Sequence, residues 1–323
     1  MKKSSLQSLF VLALILPGLV WADPGQTAAP ATATQTQAAA TDQPERLPIW
    51  NIVTDIPETA WLGLKMSFSK DAIPAWAVIL GSTAILYHYD PDLLSGAQAT
   101  GRDWGLGNDV KYKSVINLGS TSLWSAPVDT AGWLYFMGDG TIPIVMSVGF
   151  IGGGYLGSNN RLYNTGIEMA DGLLTGSIFD QVIKHIAGRQ SPSQATSPRG
   201  DFHPFPNLKA YAANTSAYDA MASGHIMTAT VMFTVIEQEY PEFNTWMYPL
   251  EVAWLGVLGF GMMNVGVHWA SDYPLGIGMG YVFAKAAVDL HKPKKDGSVA
   301  QWRFFPGVDP ASGTSTINAL YYF

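Results

Sequence analysis

The residues with the clearest chemical potential lie in two histidine-bearing stretches about forty residues apart in the chain. The second stretch contains His268 and Asp272, a spacing that would place both side chains on one face of a helix. A carboxylate beside an imidazole fixes the ring's tautomer and stabilises the cation that forms when the other ring nitrogen attacks. The pair therefore indicates a nucleophilic histidine. A histidine that caps or pairs structurally, or one that binds a metal, fits the same two residues.

The first stretch, Ser223-Gly224-His225, precedes an apolar run that predicts a helix. Ser223 is a typical N-cap, and the free N–H groups of a first helical turn can bind an anion. Gly224 would let a phosphate approach the backbone closely. His225 would then stand at the rim of that site and could protonate a leaving oxygen. The alternative is an ordinary N-cap followed by an exposed histidine.

Two cations, Lys184 and Arg189, end another apolar segment. Such residues are often solvated helix termini. Beside the two histidine stretches they become candidate phosphate ligands, the arginine through a bidentate contact and the lysine as a point charge. Together the three segments contain the parts of a metal-free phosphoryl-transfer site.

The three segments resemble the signature of the type-2 phosphatidic acid phosphatase superfamily, which includes bacterial non-specific acid phosphatases and vanadium haloperoxidases. The family pattern is Lys-x6-Arg-Pro, then Pro-Ser-Gly-His, then Ser-Arg-x5-His-x3-Asp. The resemblance extends over roughly residues 70–290. The matching segments here are Lys184 followed after six residues by Ser191-Pro192, then Ala222-Ser223-Gly224-His225, then Gly261-Met262 followed after five residues by His268 and Asp272.

The resemblance implies a helical bundle with the active site at one end and no cofactor or metal. It implies that His268 forms a phosphohistidine, that Asp272 orients it and that His225 is the general acid. The phosphate-binding groups it implies are the Lys184 side chain, Ser223 and the amide of Gly224.

The chain departs from the family pattern at both phosphate-binding arginines, which are replaced by Ser191 and Met262. Methionine cannot donate a hydrogen bond, and the loss of one oxyanion donor costs about 2.7–4 kcal/mol of transition-state stabilisation. Arg189 could reach back to the phosphate, and Asn264 could supply a neutral donor.

Two functional hypotheses follow from these residues. The first is a phosphatase that acts on a phosphomonoester or a lipid (pyro)phosphate. The second is a catalytically degenerate envelope protein that binds phosphate-bearing lipids. A vanadate-dependent peroxidase is a third reading, which the reduced cationic coverage disfavours.

The amino-acid composition excludes or disfavours several other functional classes. The 323 residues are 48% hydrophobic and only 13% charged, against about 25% charged in a typical soluble domain. The absence of cysteine excludes disulfides, thiolate metal sites and a cysteine nucleophile. A formal charge of −7 without a basic stripe disfavours a nucleic-acid partner. A phosphate-bearing small molecule or lipid is the expected partner, and association with a membrane is expected as well.

The N-terminus predicts export. Met1-Lys2-Lys3, the apolar run 9–20 and the small residues before Asp23 are typical of a bacterial signal peptide over residues 1–22, although an uncleaved membrane anchor fits as well. Residues 23–45 are rich in Ala, Thr and Gln and predict a disordered linker. We expect a helical domain at 46–292, a C-terminal tail at 293–323 that docks on it, and a location in the bacterial cell envelope, periplasmic or membrane-associated with the site facing the periplasm.

Glycine, proline and Asn/Asp breaks divide the domain into apolar blocks without sustained strand alternation, which predicts an all-α bundle of about six main helices. Most of these blocks are shorter than the roughly 20 apolar residues of a membrane span, so integral and peripheral association both stay open. The predicted helices cover residues 73–89, 141–157, 165–186, 225–238, 246–267 and 274–290.

Overall fold

The computed structural model describes residues 43–118, 121–292, 301–308 and 315–322. The predicted signal peptide and nearly all of the predicted linker lie outside these residues. Helices dominate the described part, so the predicted all-α class is confirmed. The helices are Asn51–Thr54 (α1), Ile56–Ser67 (α2), Ile73–Asp103 (α3), Thr130–Phe136 (α4), Thr141–Leu156 (α5), Asn160–Ala187 (α6), Leu208–Ala213 (α7), Gly224–Glu239 (α8), Asn244–Asn264 (α9) and Tyr273–His291 (α10).

Two antiparallel hairpins, which sequence reasoning did not anticipate, accompany the helices. Tyr112–Leu118 (β1) pairs with Thr121–Pro127 (β2), with irregular register near Ile116. In the C-terminal tail, Gln301–Val308 (β3) pairs with Ser315–Tyr322 (β4) in regular register. The helical class holds because each hairpin is only a two-stranded sheet.

The core is built around α6, α8 and α10. Its apolar side chains are buried between the three helices, where each methylene removed from water contributes about 0.8 kcal/mol. Members of this cluster are Met169 and Leu173 from α6, Val231 and Phe233 from α8, and Phe283 from α10.

Two glycines let α10 lie unusually close to α8. A Cβ on Gly276 would come within 2.7 Å of the Ser223 carbonyl oxygen, and one on Gly280 within 2.6 Å of the Met227 carbonyl oxygen. Both distances are shorter than real Cβ contacts allow, so neither position accepts a larger residue without a backbone shift. This contact fixes the start of α8 beside the start of α10, where the two histidine stretches lie.

Helix α3 is longer than the sequence predicts. The expected end before Asp90-Pro91 is wrong, since the helix continues through Pro91 to Asp103. Proline lacks an N–H and leaves the carbonyl four residues earlier unpaired. Here the Arg199 side chain replaces the missing donor: Nε donates to the Tyr87 carbonyl (2.8 Å) and Nη2 to the His88 carbonyl (3.0 Å). A residue from a distant loop therefore maintains the helix.

Apolar side chains cover much of the outer surface. On α6 a four-residue spacing exposes Leu174, Ile178, Val182 and Ile186, each 42–51% accessible. Within the described residues, one helical stretch, Lys70–Asp103, is sufficiently long and apolar to cross a membrane. Helices α4 and α5, which meet at an angle of 57°, would count as a second candidate if they formed one span.

A buried ionic cluster lies at the end of the bundle where α6 begins and α10 ends. His291 Nε2 is 2.9 Å from Asp55 Oδ2, and Nδ1 is 3.6 Å from Glu168 Oε1. Burial alone would lower the pKa of His291, but the bonds to Asp55 and Glu168 outweigh it and raise the pKa to about 10. Burial raises the pKa of Glu168 to about 7.

The cluster predicts a fall in stability above neutral pH. Because the pKa of His291 is about 10 in the folded chain and about 6.5 when unfolded, its contribution is complete below pH 6.5 and is lost as the pH rises through 10. At pH 6, His291→Gln should reduce the free energy of unfolding by about 3 kcal/mol, and the difference from wild type should shrink towards pH 10. Denaturant unfolding at several pH values measures this. The exposed His88→Gln is the control, and a difference that does not vary with pH would contradict the assignment.

Candidate active site

The two predicted imidazoles face each other. His225 Nδ1 lies 3.3 Å from His268 Nε2, and the ring centroids are 5.3 Å apart at an angle of 71°. His225 stands in the first turn of α8, and His268 lies in the loop between α9 and α10, just before the short 3-10 turn Ala270–Asp272. The site therefore lies at the end of the bundle where α8 and α10 begin and α6 ends.

A backbone carbonyl orients His268. Its Nδ1 is 2.8 Å from the Ala220 carbonyl oxygen, which can only accept a hydrogen bond. The hydrogen position follows from this partner: Nδ1 carries the proton and donates it, so Nε2 presents its lone pair towards His225. The ring thus has the tautomer that a nucleophilic histidine needs.

Asp272 does not form the direct bond to His268 that was expected. Its Oδ2 is 3.7 Å from His268 Nδ1 and accepts instead from the Trp269 amide at 2.8 Å. The expected helical i,i+4 geometry is absent because the chain forms a tight 3-10 turn here. The Asp272 carbonyl also accepts from the Ser223 amide at 3.2 Å. Asp272 therefore shapes the loop that carries His268 and ties it to the start of α8.

Arg189 is a structural residue in this arrangement, which corrects its assignment as a phosphate ligand. The side chain is 1% exposed. Nη1 donates to Asp272 Oδ1 (2.5 Å) and Ser271 Oγ (2.7 Å), and Nη2 donates to Asp90 Oδ2 (2.8 Å). Nη2 and Nε also donate to the Arg199 carbonyl. These acceptors occupy all five N–H groups of the guanidinium.

Lys184 does reach the start of α8. It is buried, and a Cβ placed on Gly224 would lie 3.4 Å from its Nζ and 2.9 Å from Asp180 Oδ2. Ser223 caps the helix as expected, since its Oγ accepts from the Ile226 amide at 3.4 Å. Lys184, the Gly224 backbone and His225 therefore surround one small space.

Of the two proposed substitutes for the missing arginines, Arg189 is thus bound to Asp90 and Asp272, and Asn264 is bound to another part of the chain. Asn264 Nδ2 donates to the Gly107 carbonyl at 2.8 Å, and Oδ1 accepts from Arg102 Nη2. One of its two Nδ2 N–H groups thus joins α9 to the chain just after α3. Ser191 is buried with Oγ 3.5 Å from Asp219 Oδ1. Met262 is fully buried in an apolar cluster with Leu258.

The electrostatic environment keeps His225 neutral in the free site. Burial lowers the pKa of His225 well below its usual value, and electrostatic interactions with His268 and Lys184 lower it further. Its Nε2 has no hydrogen-bond partner among the described residues. A bound phosphate would reverse this effect, because a nearby negative charge favours the protonated ring.

Sequence reasoning missed three side chains around this space. Tyr135 packs edge-on against His225, with centroids 4.5 Å apart. Asp180 pairs with Lys184 at 3.2 Å, and its i,i+4 spacing was a usable signal. Asp219 interacts electrostatically with both Tyr135 and Asp180, and no local pattern indicates it. Among the described residues no group of three or more His, Asp or Glu could hold a metal ion.

The Arg189 network predicts a large stability effect. Arg189→Met leaves Asp90 and Asp272 buried without their cation, which should reduce the free energy of unfolding by about 3–5 kcal/mol. Lys285→Met removes the partly exposed pair with Asp289 and should cost no more than about 1 kcal/mol. Denaturant unfolding compares the two variants, and equal losses would show that the buried network has no special role.

Comparison with known proteins gives one match. Residues 166–296, from within α6 to just beyond α10, match the family model described as PAP2 superfamily. No curated protein matches the chain. No solved structure matches it either.

Proposed function

We propose that this chain, of which residues 166–296 match the PAP2 superfamily model, is a phosphatase that hydrolyses a phosphomonoester or a lipid (pyro)phosphate through a phosphohistidine. The observation that carries this proposal is the pair of facing imidazoles. His268 presents an unprotonated Nε2 towards His225, and its Nδ1 is held by the Ala220 carbonyl.

In the first step, His268 Nε2 attacks phosphorus, an N–P bond forms and the P–O bond to the leaving group breaks. His225, protonated once the anion is bound, transfers its proton to the departing oxygen. The Ala220 carbonyl stabilises the positive charge that develops on the His268 ring through the Nδ1–H bond.

In the second step, water attacks the phosphohistidine. His225, now neutral, takes a proton from the water, the N–P bond breaks and inorganic phosphate leaves. His268 recovers its lone pair and His225 is again protonated, so the cycle closes with water as the only second reactant. At 3.3 Å the two ring nitrogens leave no room for phosphorus, so a ring must move when the substrate enters.

The phosphate oxygens would be stabilised by Lys184 and by the free N–H groups at the start of α8. Backbone amides of a first turn and the positive end of the helix dipole favour an anion there. Gly224 allows a close approach because a side chain at this position would contact Asp180.

A non-catalytic phosphate-binding protein is the second candidate. Its supporting observation is that neither Arg189 nor Asn264 replaces the missing arginines in the site. Such a protein would bind phosphate or vanadate without turnover.

We also propose that the protein associates with a membrane in the cell envelope, with the site on the periplasmic side. The apolar side chains exposed on α6 support this, because contiguous apolar surface is costly in water. Lys184 lies on the same helix, so a phosphate group at a membrane surface would lie near the site.

Replacement of the histidines tests catalysis. His268→Ala should abolish phosphate release, and His225→Ala should reduce it about 10²–10⁴-fold, most for substrates with poor leaving groups. The assay is phosphate release by detergent-purified protein from soluble monoesters and lipid pyrophosphates, with the exposed His88→Ala as control. Undiminished turnover by the His268 variant would exclude the mechanism, whereas vanadate binding without turnover in wild type would favour the second candidate.

Replacement of exposed apolar residues tests the membrane proposal. Ile178→Lys together with Val182→Lys should lower the fraction of protein that floats with zwitterionic vesicles, because two charges disrupt the apolar stripe. Val115→Lys, on the exposed face of β1, is the matched control. Equal flotation of the double variant and wild type would rule out α6 as the contacting surface.

A further inference from the structure

Asp180 is a buried carboxyl group with one unpaired oxygen. Its side chain is 5% exposed, and Oδ2 lies 3.2 Å from Lys184 Nζ. Oδ1 is buried and has no hydrogen-bond partner among the residues that the structure describes. Buried polar atoms in native proteins nearly always have a partner. The unpaired oxygen therefore points to a group that binds from outside the chain.

The position of Asp180 identifies that group. A Cβ on Gly224 would lie 2.9 Å from Asp180 Oδ2 and 3.4 Å from Lys184 Nζ, so the Asp180 carboxyl group borders the space at the start of α8 through Oδ2. That space is where the proposed function places a phosphate. An ionised carboxylate would repel the phosphate, whereas a neutral carboxyl group could donate a hydrogen bond to it.

We propose that the neutral carboxyl group of Asp180 donates a hydrogen bond to a phosphate oxygen and so replaces one of the two missing arginine donors. This inference rests on the proposed phosphate site, but it does not require that the bound phosphate be hydrolysed. It makes Asp180 a ligand of the substrate in addition to a partner of Lys184.

The surroundings of Asp180 are consistent with a neutral form. Burial raises its pKa, Lys184 on the same helix and His268 in the facing loop lower it, and Asp219 in the loop before α8 raises it. Tyr211 on α7 also faces the group. A bound phosphate adds negative charge and raises the pKa further. The contact should therefore form in acid and be lost as the pH rises through this pKa.

An asparagine at this position tests whether the hydrogen bond depends on protonation of the carboxyl group. Asp180→Asn keeps the size of the side chain and donates at every pH. The ratio of kcat/KM for Asp180→Asn to that of wild type, measured on a soluble phosphomonoester, should rise at least tenfold from pH 5 to pH 8. Comparing the two proteins at each pH cancels the ionisation of the substrate and of His225.

Two further variants and a control complete the test. Asp180→Ser retains a neutral donor, so its ratio to wild type should also rise with pH. Asp180→Ala lacks a donor, so its activity at pH 5 should be about 100-fold lower than that of wild type. Asp289→Asn breaks the ion pair with Lys285 on α10 (2.8 Å) and should leave a ratio to wild type that does not change with pH. A constant ratio for both Asp180→Asn and Asp180→Ser would overturn the proposal, because a purely structural partner of Lys184 gives that result.

Binding of inorganic phosphate to the same proteins, measured by calorimetry over the same pH range, separates the two proposals. If wild type shows no turnover but the affinity ratio of Asp180→Asn to wild type rises with pH, the proposed phosphatase activity is wrong and the proposed role of Asp180 is supported. If turnover is present and the ratios of kcat/KM and of phosphate affinity are both constant, the proposed role of Asp180 is wrong and the phosphatase activity is supported. Circular dichroism confirms that each variant is folded.

Discussion

The buried guanidinium of Arg189 is the interaction on which the site depends. It joins Asp90 of α3, Asp272 at the start of α10 and the Arg199 carbonyl in the intervening loop. A buried ion pair of this kind contributes little net stability compared with apolar packing, but it specifies one arrangement because each partner is costly to leave alone. The Ser271 amide and hydroxyl also bind Asp90, which holds the C-terminal end of the loop from His268 to Asp272, while the Ala220 carbonyl holds His268 at the other end.

This anchoring explains a division of roles between neighbouring residues. Asp272 satisfies Arg189 and the Trp269 amide, and the Ala220 carbonyl takes over the orientation of His268. A neutral acceptor fixes the tautomer as well as a carboxylate does, but it offers less stabilisation to an imidazolium. The loss of both motif arginines and the indirect position of Asp272 act in the same direction, towards a site with weaker electrostatic stabilisation than the family pattern implies.

Much of the arrangement could be predicted from the sequence. The helices α5, α8 and α10 begin and end within two residues of the predicted bounds, because glycine, serine and proline mark their ends locally. The approach of His225 to His268 followed from the order of the motifs. What escaped prediction depends on distant partners: Arg189 meets Asp90, 99 residues earlier in the chain, and Ala220 contributes only a backbone oxygen, which has no sequence signature. The β1–β2 hairpin escaped because its residues show no regular alternation of polar and apolar side chains.

The continuation of α3 past Pro91 has a consequence for the order of assembly. Arg199 donates to the Tyr87 carbonyl, which Pro91 leaves without its helical partner, and to the neighbouring His88 carbonyl. Those residues are more than a hundred positions apart, and contacts of such separation form late because a long loop must close first. Until the loop after α6 packs against α3, the nascent segment would therefore have a hinge at Pro91. Packing of the same loop also brings Arg189 to Asp90. The contact of Arg199 with α3 and the contact of Arg189 with Asp90 would therefore form together.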